Sequence, residues 1–261
     1  MGERTKYEPG TPSFTDLTTP DTDAAQQFYG TLFGWDFESL DTGNPDMPYI
    51  MGRQGGKDVA GMMQLTPEMT SGGMPPVWST YITVDDVDAE TKKAKDLGAT
   101  VFSEPMDVMS AGRMSVLADP QGAVFCLWQP KDSIGSELVN TPVSITWNEL
   151  ITPDPAGSRA FYGGLFGWEH ETMPFAGSEY TMFSMGGNNV AGAMAPPMEG
   201  MPPFWGVYFS VADTDATVAK AKELGASVIA EPMDLPPGRM AVLADPQGAA
   251  FNVIKNANAA P

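Results

Sequence analysis

Side chains able to act as nucleophile, base or metal ligand are unevenly supplied along this chain: one cysteine, Cys126, and one histidine, His170, stand against 33 Asp and Glu. A single imidazole excludes any site within one chain that needs two, so two-histidine iron chemistry is out, and a single thiol excludes an intrachain disulfide framework. Carboxylate and phenol chemistry is left. Asp16 and Glu149 stand at equivalent places in an internal repeat, as do Tyr81 and Tyr208, and Cys126 and Asn252. A carboxylate among apolar walls gains a raised pKa, which suits it to hold a ligand hydroxyl or to act as a general base. Its alternative is a structural ion pair, with Arg113 or Arg239 as candidate partners, since buried carboxylates have partners. Tyr81 and Tyr208 are either donors to a ligand carbonyl or half-buried core residues. Cys126 has no histidine beside it to make a thiolate and reads as a buried apolar thiol. His170, among acids in FGWEHE, reads as a solvated surface residue.

The elements that must position these groups follow from the repeat. FYGTLFGW at 28–35 returns as FYGGLFGW at 161–168, and GRMSVLADPQGAVF at 112–125 returns as GRMAVLADPQGAAF at 238–251. Two homologous units follow, 1–130 and 143–261, with the polar stretch 131–142 as linker. Inside each unit a strand, a helix and three strands occur twice. In the first unit strands fit Ser13–Thr19, Trp35–Leu40, Tyr49–Arg53, Val59–Gln64 and Val77–Val84, with helices opening at Pro20-Asp21 and capped by Asp85-Asp86 before Val87–Leu97. Four βαβββ modules are too short and too β-rich for a doubly wound sheet. They predict an α+β fold of curled, mostly antiparallel sheets with helices on the convex face.

Asp, Pro and Gly at their places in ADPQG suit a type I turn, so Asp119 and Asp245 read as structural. VDDVDAE lacks the spacing of a calcium loop and reads as a helix cap. Pro75-Pro76 and Pro202-Pro203 read as rigid approaches to strands, with a gate as the functional alternative. Of 18 methionines, Met47, Met51, Met62, Met63, Met194 and Met201 fall in loops or on strands expected to face inward, as adaptable ligand contacts or as gap-fillers. Net charge is 14 − 33 = −19, which argues against nucleic acid and anionic lipid as partners. No stretch is long and apolar enough to cross a membrane and the start lacks a secretory signal, so the expectation is a cytoplasmic protein.

The paired FYGTLFGW, VDDVDAETKKAKDLGA and ADPQGAVFCLW segments resemble the vicinal oxygen chelate superfamily, which includes glyoxalases, bleomycin-resistance proteins and extradiol dioxygenases. The resemblance covers nearly the whole chain. It implies tandem glyoxalase-like domains in which each sheet forms a cup with a metal held by His, Glu or Gln. The tandem layout and GRMxVLADPQGA are similar to an actinobacterial group labelled glyoxalase-like or hydroxylase. Aligned on the repeat anchors, the family's ligand slots fall on Phe14 and Trp147, near Ser79 and Gly206, and on Cys126 and Asn252. None is His, Glu or Gln, so no metal and no cofactor is expected.

Strand parity gives an independent view of the cup. Trp205, Val207, Phe209 and Val211 form a face suited to a helix, which turns Gly206, Tyr208 and Ser210 inward, and by the same rule Ser79, Tyr81 and Thr83. Phe14 and Asp16, and Trp147 and Glu149, are on the cup side. The expected ligand-binding set is Phe14, Asp16, Ser79, Tyr81, Cys126, Trp128, Trp147, Glu149, Tyr208 and Asn252, with Asp16 and Glu149 as candidate catalytic groups. Such aromatic cups suit a small aromatic or polyketide-like molecule. The alternative is a glyoxalase-like enzyme or a cofactor-independent hydroxylase of the same fold. In either case the chain is expected to be a monomeric pseudo-dimer or a homodimer.

Overall fold

In the computed structural model, which describes residues 2–44, 48–175 and 177–257, the chain forms β1 (Pro12–Thr19), α1 (Thr22–Phe33), β2 (Asp36–Leu40), β3 (Tyr49–Gln54), β4 (Lys57–Gln64), α2 (Pro67–Ser71), β5 (Val77–Thr83), α3 (Val87–Asp96), β6 (Thr100–Val108), β7 (Gly112–Ala118) and β8 (Val124–Pro130). The second unit follows with β9 (Ile145–Ile151), α4 (Pro155–Phe166), β10 (Glu169–Phe175), β11 (Ser178–Met185), β12 (Asn188–Met194), β13 (Phe204–Ser210), α5 (Thr214–Glu223), β14 (Ser227–Leu235), β15 (Gly238–Ala244) and β16 (Ala250–Asn256). The short α2 was not legible in the periodicity. Five residues give barely one turn, held by Thr66, whose side chain accepts from the Met69 N–H, and by Pro67 in the first turn.

The helices start and stop where local chemistry directs. Asp21 accepts from the Ala24 N–H at 2.9 Å, and Gly34, at φ 75°, ends α1 in the left-handed region that disfavours other residues. Asp86 caps α3 through the Ala89 N–H at 3.0 Å, and Asp213 caps α5 through the Ala216 N–H at 3.0 Å. VDDVDAE is therefore a helix cap.

Each unit builds its own eight-stranded sheet, in the order β2-β3-β4-β1-β5-β8-β7-β6 and, in the second unit, β10-β11-β12-β9-β13-β16-β15-β14. The β1–β4 and β5–β8 pairs and their counterparts are parallel, and all other neighbours are antiparallel. Each cup is thus closed within one repeat, because both of its modules belong to one sheet.

The convex faces meet and trade helices. Phe28, Tyr29 and Phe33 of α1 pack against Phe209 and Phe251 of the second sheet, with Phe33 and Phe209 rings 5.3 Å apart. In the mirror arrangement Phe161, Tyr162 and Phe166 of α4 surround Phe125 of the first sheet. A polar relay joins the units inside each of these cores. The Trp78 indole N–H donates to the Tyr29 hydroxyl at 3.0 Å, and that hydroxyl donates to Asp245 Oδ2 at 3.0 Å. Trp205, Tyr162 and Asp119 repeat it with the same two distances, 3.0 Å each. The ADPQG aspartates also make the expected turn: Asp119 Oδ1 accepts from the N–H groups of Gln121, Gly122 and Ala123. The turn reading is right but incomplete, since the other carboxylate oxygen holds the opposite unit.

The stretch expected to be a linker is instead tied down. Ser136 is fully buried, its N–H donating to the Ser13 carbonyl at 2.9 Å and its hydroxyl to the Val59 carbonyl at 2.9 Å, and Glu137 N–H donates to the Asp58 carbonyl at 2.7 Å. Val139 joins the shared core.

Replacing Tyr29 with Phe removes the one atom that satisfies both the Trp78 N–H and Asp245 Oδ2. A buried group left unpaired costs about 1–3 kcal/mol, more when charged. Tyr29→Phe is expected to lower the urea midpoint by about 2–4 kcal/mol equivalent while both units still melt in one transition. A first transition confined to one unit of the variant would show that the relay, and not the shared aromatic core, is what couples the two.

Candidate functional site

Asp16 sits at the centre of the first sheet, opposite Gly61 of β4 on one side and Ser79 of β5 on the other. Its Oδ2 accepts from the Tyr81 hydroxyl at 2.7 Å and from the Tyr49 hydroxyl at 3.2 Å. Tyr49 reaches it because Gly61 has no side chain: a Cβ there would stand 1.9 Å from the phenol oxygen. Phe14 packs edge-on to Tyr81 at 5.7 Å, and Tyr81 to Trp128 at 6.4 Å, while Cys126 lies beside Tyr81 across the parallel register. Phe14, Met51, Tyr81, Cys126 and Trp128 make one buried cluster, so the first cup is largely filled by its own side chains.

The second cup repeats the plan with a longer acid. Glu149 Oε2 accepts from the Tyr208 hydroxyl at 2.7 Å, and Tyr180 is its second phenol. Gly192 makes the same allowance as Gly61, a Cβ there lying 1.8 Å from the Tyr180 oxygen. The Trp147 indole N–H donates to that hydroxyl at 3.0 Å. Asn252 is opposite Tyr208, with its amide donating to the Val207 carbonyl at 3.2 Å. Trp147 and Glu149 are half-buried where Phe14 and Asp16 are buried, which leaves this cup the more accessible of the two.

The electrostatics follow from burial. Desolvation raises the Asp16 and Glu149 carboxyl pKa values, against the opposing pull of the phenol hydrogen bonds. Burial, then the neighbouring carboxylates, holds Tyr49, Tyr81 and Tyr208 well above the ordinary phenol range. Burial likewise pushes the Cys126 thiol up, so it is a protonated wall atom and not a nucleophile.

Of the ten residues expected in the cups, six (Phe14, Asp16, Ser79, Tyr81, Cys126 and Trp128) lie on β1, β5 and β8 of the first unit and four (Trp147, Glu149, Tyr208 and Asn252) on β9, β13 and β16 of the second. The ion-pair alternative is corrected. Arg113 and Arg239 are on the outer surface with Asp88 and Asp215, at 2.7 and 2.5 Å, and the cup carboxylates take phenols as partners. His170 is exposed on β10. Among the methionines, Met51 joins the first cup, Met62 turns the other way into the shared core, and Met47 is outside the described residues. Tyr49 and Tyr180 were missed. Their signal was present, since each stands on the strand that precedes a VAG segment whose glycine makes room for it.

The fold family implies a metal, and the donor set does not fit one. Phe14, Trp147 and Gly206 offer no side-chain donor at their slots, which leaves one hydroxyl, Ser79, and one thiol, Cys126, in the first cup and one amide, Asn252, in the second, too few in either for a chelating set. Among the described residues no three of His, Cys, Asp and Glu come together.

Comparisons place this architecture among known proteins. Residues 14–128 match the glyoxalase-like domain, and residues 144–253 match the Glyoxalase/Bleomycin resistance protein/Dioxygenase superfamily. "Putative glyoxylase CFP32" of Mycobacterium bovis is 45% identical over 98% of this chain and 99% of that protein. The anthracycline biosynthesis protein DnrV of Streptomyces peucetius is 38% identical over 96% of this chain and 95% of its own. Among solved structures, the Mn(II)-bound glyoxalase of Novosphingobium aromaticivorans superposes with a TM-score of 0.66 at 15% identity, over 98% of this chain and 83% of that one. The 2,3-dioxygenase LapB of Pseudomonas sp. KL28 gives 0.63 at 14% identity, over 96% and 94%. These last likenesses show the fold. Together with the two domain matches and the full-length relatives, they establish that the chain belongs to the glyoxalase/bleomycin resistance protein/dioxygenase superfamily, with two such domains in tandem.

Proposed function

We propose that this protein is a metal-independent member of its superfamily that binds a small aromatic or polyketide-like molecule in aromatic-lined cups. The observation that carries the reading is the partner set of the two central acids: each carboxylate is held by two phenols, beside first-strand ligand slots that carry the aromatic rings of Phe14 and Trp147. A flat, hydroxylated ligand can replace one phenol at such a carboxylate with its own hydroxyl and stack on the surrounding rings. The likeness to DnrV, named for anthracycline biosynthesis, supports ligands of that class, which are fused aromatic rings bearing hydroxyls. The second cup, with Trp147 and Glu149 half-buried, is the one proposed to fill first.

A second reading, turnover of such a molecule, is favoured by the raised carboxyls. Asp16 or Glu149 could take a proton that Tyr81 or Tyr208 returns, acting as an acid/base pair. An oxygenation by this route needs a substrate that itself supplies the electrons to dioxygen.

Native mass spectrometry and metal analysis of protein purified without chelator or affinity metal test the binding reading. The expected result is no stoichiometric metal, and one hydroxyanthraquinone probe bound per chain without product. Glu149→Gln is expected to weaken that binding about tenfold, the value of about one charge-assisted hydrogen bond, and Asp16→Asn to weaken it less. Stoichiometric metal would end the metal-independent reading, and a product of altered mass would favour turnover.

The raised acids also set a pH dependence. A carboxyl whose pKa is higher in the folded than in the unfolded chain favours folding fully below the unfolded value, and that contribution is lost as pH rises through the folded value. Asp16 is in this class. Asparagine cannot ionise, so the melting temperature of Asp16→Asn relative to the parent should climb between pH 5 and pH 8 (roughly the range above ordinary carboxylates). A difference that stays flat over this interval would mean that Asp16 titrates at its ordinary value.

A further inference from the structure

A groove lies beside the second cup and shares Trp147 with its wall. It is an open groove of about 1020 Å³ between the start of β9, the start of β12 and the N-terminal segment, lined in part by Arg4, Thr146, Asn148, Asn189 and Val190. Its place in the fold explains it. Strands β9 and β12 pair only from Glu149 and Gly192 onward, and before that point they diverge as a fork. The first unit has the same fork, because β1 and β4 pair only from Asp16 and Gly61 onward.

There the fork is filled. Residues 135–138 run through it as a strap: Ser136 N–H donates to the Ser13 carbonyl, the Ser136 hydroxyl to the Val59 carbonyl, and Glu137 N–H to the Asp58 carbonyl. The Glu137 carboxylate in turn accepts from the Asp58 N–H at 3.1 Å. Counted back from the two paired positions, Ser13 corresponds to Thr146, and Asp58 and Val59 correspond to Asn189 and Val190. Among the described residues no strap makes the corresponding backbone hydrogen bonds to these three counterparts, although the Thr146 hydroxyl donates to Asn140 Oδ1 at 3.0 Å and accepts from the Asn256 amide at 3.2 Å. Arg4 is on the rim of the groove, and among the described residues its guanidinium has no ion pair, although the chain as a whole is strongly acidic.

We propose that this fork is a docking site for an extended peptide with the chemistry of the chain's own strap: a small hydroxyl residue, then a carboxylate, then an apolar residue. Its backbone would bond to Thr146 and Asn189 as a strand added to the sheet, its hydroxyl would meet the Val190 carbonyl, and its carboxylate would take the Asn189 N–H with Arg4 nearby. The inference does not depend on what fills the cups, since it rests on backbone atoms of Thr146, Asn189 and Val190, none of which hydrogen-bonds to the Glu149 carboxylate or to its phenol hydroxyls.

The test uses the whole protein and the capped peptide Ser-Ile-Gly-Ser-Glu-Leu-Val, which is the strap sequence at 133–139. Amide resonances are followed by NMR. The expected result is saturable shifts at Thr146, Asn189 and Val190, with affinity in the micromolar to millimolar range. N-methylation of the second serine, which removes the strand-type donor, should weaken binding about tenfold, as loss of one backbone hydrogen bond predicts. Absence of saturable shifts, equal binding of the N-methylated peptide, or shifts centred on Ser13, Asp58 and Val59 through displacement of the resident strap would each overturn the proposal.

Discussion

Everything in this molecule depends on a buried phenol that answers to both halves of the chain. Tyr29 takes the indole proton of its own unit and gives its own proton to an aspartate of the other, and Tyr162 does the reverse. Neither aspartate can serve this way unless its second oxygen is already satisfied by a turn, which is why the Asp-Pro-Gln-Gly corner and the Phe-Tyr-Gly helix occur together in both units. Around these relays the aromatic clusters of α1 and α4 bury their area against the opposite sheet. The hydrophobic term supplies the energy, and the relay supplies the register, because an unpaired carboxylate in that core would be costly.

A back-to-back join through the convex faces leaves both concave faces free. The cups open away from the joint, each complete within one sheet, so a change in one cup does not have to be matched in the other. The divergence at their centres fits that independence. Both cups keep two phenols and a glycine in place, yet one acid is an aspartate buried under rings and the other a half-buried glutamate.

The order of elements, the caps at Asp21 and Asp86 and the inward faces were legible because they are local: a two-residue alternation and an i to i+3 hydrogen bond are written in adjacent letters. What was not legible is long-range. The partner of Tyr29 is 216 positions away, and nothing near ADPQG says that its second oxygen is reserved for another unit. The partners of Asp16 were misjudged for a related reason. Charge suggested arginine, but Arg113 is held outside by the Asp88 cap region, and the sheet offered the acid two phenols. The glycines of the VAG segments carry no side chain to read, whereas in three dimensions they are clearance for Tyr49 and Tyr180.

Gly61 and Gly192 have a further meaning once the cups are seen as duplicates. With the phenols fixed over a bare backbone, the length of the central acid sets the depth of the floor, and the two acids differ by one methylene. A duplicated gene has in this way produced two depth gauges on a common frame. Selection for a deeper or shallower guest could act on a single codon at 16 or 149 without disturbing any residue that holds the two halves together.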